Sequence, residues 1–63
     1  MQPHQQRVVD EKTQLDGNLE RLKAFLHGAI FNGLPEDEQS RLLRQSDAMT
    51  EYSEILGERI AAF

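Results

Sequence analysis

Lys12, Tyr52 and Arg59 are the residues whose types could do chemistry together in this 63-residue chain. Two cationic side chains beside an aromatic ring make a grip for an anion. The ring would stack on a base, while the ammonium and the guanidinium hold a phosphate. The chain offers no comparable set for catalysis. It has no phosphate-binding glycine loop, no serine elbow and no paired histidines at zinc spacing. His4 and His27 fall at opposite ends of one helical stretch, so no metal site is expected within a hairpin. A lone histidine near a helix C-terminus is ordinarily a dipole contact. No cofactor and no enzymatic activity are expected. Lys12 and Arg59 also have a plainer reading. Long basic chains at a helix seam reach out to solvent or pair with Glu11, Glu51 or Glu58, and a polar seam residue can set register.

Whether the three residues meet depends on two helices. Val8, Leu15 and Leu22 recur every seven residues, with Leu19 and Leu26 at the intervening steps. This is a heptad seam, and Lys12 is its polar occupant. It predicts a helix over 5–28. Asp16-Gly17-Asn18 is turn-prone, but the seam keeps its phase across it, so one helix bent at Gly17 is expected. Gly28, Asn32-Gly33 and Pro35 end that helix and place a connection at 29–34. Ile30, Phe31 and Leu34 make the connection apolar enough to plug one end of the molecule. The second helix is expected over 35–62, with Pro35 as its first residue. Glu36, Asp37 and Glu38 then lie at the positive end of its dipole.

Alternating steps of three and four carry the second seam through Leu42, Gln45, Met49, Tyr52, Leu56, Arg59 and Phe63. Two long helices with a short connection pack antiparallel. The expected pairs are Leu26 with Leu42, Leu22 with Gln45, Leu19 with Met49 and Leu15 with Tyr52. Lys12 follows with Leu56 and Val8 with Ile60, which brings Arg59 near Lys12 at the open end. The expected fold is all-α, one helical-hairpin domain over residues 1–63. Val9, Phe25, Leu43 and Ile55 are left over, and a stripe this wide suits more than one neighbour. They are the candidate interface of a homo-oligomer, for instance a dimer forming a four-helix bundle.

Composition narrows the partners. A chain this short buries little surface alone, and without cysteine no disulfide or thiolate metal site can staple it. Self-association or a partner protein would supply the rest. Eleven acidic residues against seven basic ones leave a net charge of −4, which argues against direct nucleic-acid binding. No apolar run reaches membrane-span length, so a soluble, intracellular protein is expected.

The stretches Gln5-Gln6-Arg7-Val8-Val9-Asp10-Glu11-Lys12, Leu22-Lys23-Ala24-Phe25 and Met49 through Ile60 resemble small, uncharacterised helical proteins of tailed bacteriophages and prophages. The resemblance covers most of the chain as overall texture. It implies an accessory or counter-defence protein in the cytoplasm of a bacterial host. Such a protein works by binding, either inhibiting a host protein or sequestering a nucleotide signal. Gly57-Glu58-Arg59-Ile60 is also locally similar to the helical-hairpin cyclic-nucleotide sponges. Their longer motif is absent here, and no binding residue is carried over. The leading expectation is engagement of a host protein through the wide face of the second helix. Capture of a small anionic ligand between protomers stands beside it, as does a purely structural oligomerisation role.

Overall fold

In the computed structural model, which describes all 63 residues, α1 spans Pro3–Leu26, α2 is a single turn over Ala29–Asn32, and α3 spans Glu36–Ala61. The two long helices pack along each other in a rod of 46 × 14 × 13 Å. Asp16 meets Ser53, and four residues earlier Lys12 lies on Gly57, so the helices run antiparallel.

Local chemistry accounts for the ends. Pro3 occupies the first turn of α1, where its missing N–H is no loss, and Gln5 Oε1 accepts from the Gln2 N–H at 2.9 Å. The helix continues through Gly17 without interruption, because a glycine's cost in a helix is smaller than the packing of the leucines on either side. It stops at His27, whose ring nitrogen lies 2.7 Å from the Lys23 carbonyl. Gly28 is extended, and no residue takes a positive φ. Pro35 stands just outside α3 as its cap rather than as its first residue. Glu36, Asp37 and Glu38 form the first turn, and Arg41 closes ion pairs with Asp37 at 3.6 Å and Glu38 at 2.9 Å. Being exposed, such pairs contribute only a few tenths of a kcal/mol.

The connection is more ordered than its length suggests. Phe31 is buried under the helix ends and Leu34 half-buried, while Ile30 is 70% exposed and does not join the plug. The Gln39 side-chain amide donates to the Leu34 carbonyl at 3.0 Å and to the Asn32 carbonyl at 3.3 Å. One side chain thereby ties the turn to the start of α3.

The interface between α1 and α3 revises the expected seam. Val8 and Leu19 are buried and Leu15, Leu22 and Leu26 half-buried, as the α1 pattern predicts. On α3 the inward residues are Leu42, Ser46, Met49, Ser53, Leu56 and Ile60, with Ser46, Ser53 and Leu56 buried. Gln45, Tyr52 and Arg59 are exposed instead. Both ladders share Leu42, Met49 and Leu56 and differ by one position at every alternate step. The helix is rotated so that Ser46 and Ser53, the latter bonded to Lys12 and Asp16, face α1.

Candidate functional site

The rotation of α3 decides which side chains converge. Lys12 sits at an inward position of α1, but its ammonium does not emerge beside Tyr52. It donates to Ser53 Oγ at 2.7 Å and to Asp16 Oδ2 at 3.1 Å, while the Ser53 hydroxyl donates to the other Asp16 oxygen. Its stem crosses Gly57, where an added Cβ would lie 3.6 Å from Lys12 Cε. Lys12, Asp16 and Ser53 thus form a closed polar triangle across the two helices. The triangle holds Asp16 below the ordinary carboxylate range. The Ser53 hydrogen bond is the main cause and the Lys12 bond the next, with the Lys12 and Lys23 charges adding to both. Partial desolvation pushes the other way.

Two grooves, each about 400 Å³, run along opposite sides of this interface. One shows Asp16, Glu20 and Glu54 with a single cation, Lys23, beside Thr50 and Ser53. Three carboxylates make it a poor seat for an anion. The other is lined by Arg7, Asp10 and Glu11, the amides of Gln14 and Asn18, and the side chains of Leu15 and Tyr52. Tyr52 is 43% exposed. Arg59 follows Tyr52 by two helical turns on the same flank of α3, at about 100° per residue. It shares the open end of the hairpin with Arg7.

The three residues singled out from the sequence are therefore divided within one hairpin. Tyr52 and Arg59 share a flank of α3, and Lys12 is turned inward on the other side of the interface. Arg7, Asp16 and Ser53 were not singled out. The spacing of Lys12 and Asp16, one turn apart with opposite charge, was a signal for part of the triangle. The small residues Ser46 and Ser53, seven positions apart, were a signal for the inward face of α3. The four candidate interface residues are divided too. Leu43 and Tyr52 are nine positions apart, which puts them about 180° apart around α3. Leu43 is 49% exposed and Ile55 47%, on different flanks. Val9 and Phe25 are half-buried on opposite flanks of α1. His4 lies in the first turn of α1 and His27 at its end.

The family described as Sequestin matches residues 2–62 of this chain. The chain belongs to the Sequestin family. It is also 40% identical over 63 residues to a 7.5 kDa protein of Enterobacteria phage T4, described as uncharacterized and from the denB-rIIB intergenic region. That match covers 100% of this chain and 98% of the phage protein. No solved structure matches. The resemblance to small phage proteins thus rests on a defined family and on a full-length relative. No helix is long and apolar enough to cross a membrane.

Proposed function

We propose that this Sequestin-family chain is a non-enzymatic phage accessory protein that sequesters a small anionic ligand, of the nucleotide class, between self-associated hairpins in the host cell. The observation that carries the reading is the groove in which the Tyr52 ring and the Arg7 guanidinium stand beside the Gln14 and Asn18 amides. An aromatic face, amide edges and a cation suit a base and a phosphate. Arg59 on the same flank supplies a second cation. Lys12 is replaced in this role by Arg7, because its ammonium is taken up by Asp16 and Ser53. The family name speaks of sequestration, and the reading adopts that sense for this chain. Asp10 and Glu11, which line the same groove, would select ligands that offer hydroxyl or amino donors beside their phosphates.

The test is thermal unfolding with a panel of mononucleotides and cyclic dinucleotides. A ligand at about a hundred times its dissociation constant stabilises by about 2.7 kcal/mol, a rise in melting temperature of well over 5 °C for a domain of this size. Tyr52→Ala and Arg7→Ala should abolish the rise. Lys12→Met should lower the baseline melting temperature and leave the ligand increment in place. No rise with any nucleotide refutes the reading.

A second reading has the hairpin engaging a host protein. It is favoured by Leu43, an exposed leucine on the flank away from Tyr52. Leu43→Asp would then abolish capture of a partner from host lysate without altering nucleotide response.

A further inference from the structure

We infer that Ser53, bonded to both Lys12 and Asp16, is a latch that sets the rotation of α3 and holds Tyr52 out in its groove. With the latch cut, α3 rolls about its own axis and draws the ring into the helix interface. The link to binding rests on the ligand reading above, but the roll itself is measured without any ligand.

α3 carries two ladders of threes and fours that share Leu42, Met49 and Leu56. One is completed by Ser46, Ser53 and Ile60, the other by Gln45, Tyr52 and Arg59. At about 100° per residue the two ladders face directions about 50° apart. A roll of that size keeps the three shared residues at the interface. The structure takes the serine ladder, with Ser46 and Ser53 each 9% exposed. Apolar burial favours the other ladder, because an aromatic ring withdrawn from water gains far more than a serine does. A polar contact must offset that preference.

Ser53 supplies it. Lys12 Nζ donates to Ser53 Oγ at 2.7 Å, and the Ser53 hydroxyl donates to Asp16. These are the only side-chain hydrogen bonds between α1 and α3, and every ion pair lies within one helix. Both bonds pass through a single hydroxyl, and both have a charged partner, which makes them the stronger kind. A roll toward the tyrosine ladder carries Ser53 away from α1 and breaks both together. Lys12 and Asp16 would then keep only each other, at 3.1 Å within α1. Ser53 lines the groove opposite the one that holds Tyr52. It is therefore a positioning residue, acting on the ring through the rotation of the helix that carries both. A polar contact at a helix seam that fixes one packing against another is a known device.

Tyr52 reports its own position, because the chain has one tyrosine and no tryptophan. The test is acrylamide quenching of its fluorescence, without nucleotide and at one protein concentration. Ser53→Ala cuts both bonds and leaves a small residue that favours helix. Its quenching should fall by about twofold, as the ring passes from exposed to the intermediate burial usual for tyrosine, with helical circular dichroism retained. Lys12→Met and Asp16→Asn each leave Ser53 a partner, and Ser53→Thr keeps the hydroxyl, so all three should quench like wild type. A folded Ser53→Ala chain with wild-type quenching overturns the inference. So does a Ser53→Ala chain that is unfolded even in combination with Gly17→Ala, which adds helix propensity, since no second packing would then exist. Where nucleotides raise the wild-type melting temperature, Ser53→Ala should lose that rise. Reduced quenching in Ser53→Ala with no nucleotide response in wild type would sink the ligand reading alone.

Discussion

Gly17→Ala puts the continuity of α1 to a quantitative test. Asp16-Gly17-Asn18 has the composition of a turn, yet the structure carries the helix straight through it. At a helical glycine, alanine removes about 0.8–1.0 kcal/mol of propensity cost. Steric conflict must be set against that gain, and here it is negligible. An added Cβ would meet only Arg21 Nη1, at 3.8 Å, which is the mobile end of a flexible side chain. For a domain of this size each kcal/mol moves the melting temperature by about 4–8 °C, so an increase near 5 °C is expected. Far-ultraviolet circular dichroism melts at one fixed protein concentration provide the assay, since self-association would otherwise shift the midpoint. Gly57→Ala is the internal control. Its Cβ would lie at ordinary contact distance, 3.6 Å, from Lys12 Cε, so it should stabilise by a similar amount. If Gly57→Ala raises the midpoint and Gly17→Ala lowers it, the chain turns at Gly17 and the continuous helix is refuted.

Two further outcomes follow from the packing. Asp16 titrates below its ordinary value of 3.8 in the folded chain, so its triangle contributes stability that is complete above the unfolded value. That contribution is lost as pH falls through the lower, folded one. The wild-type advantage in melting temperature over Asp16→Asn should accordingly shrink as pH is lowered from about 5 to well below 3.8, and an unchanged gap would remove the triangle from the account. At the closed end, Phe31→Ala should cost about 3 kcal/mol, at the low end for a buried phenylalanine because the plug is small. Ile30→Ala should stay within about 0.5 kcal/mol, since Ile30 is 70% exposed. Equal costs in denaturant melts would show that the connection packs differently.

Much of the architecture is legible in the residue pattern. The leucine spacing from Val8 to Leu26, the cluster of Gly28, Gly33 and Pro35, and the acidic start at Glu36 dictate two helices and a short connection. Each signal acts over one or two turns of chain, where backbone geometry alone is decisive. The one-turn α2 escaped because four residues carry too little periodicity to register. The exposure of Ile30 beside buried Phe31 escaped because adjacent apolar residues look alike until the neighbouring helix ends choose between them.

The candidate site depended on something no local pattern holds. A ladder of threes and fours fits α3 equally well through Tyr52 and Arg59 or through Ser53 and Ile60, and hydrophobicity alone favours the tyrosine. Only the packed pair of helices decides, because the burial of Ser46 and Ser53 and the bonds of Ser53 to Lys12 and Asp16 exist only when α1 is in place. That single rotation buries the Ser53 hydroxyl against Lys12 and Asp16. It also turns the Tyr52 ring out beside Arg7. Residue types in the sequence determined that an aromatic ring and cations would be available on a helical hairpin. Tertiary contact decided which cation stands beside the ring.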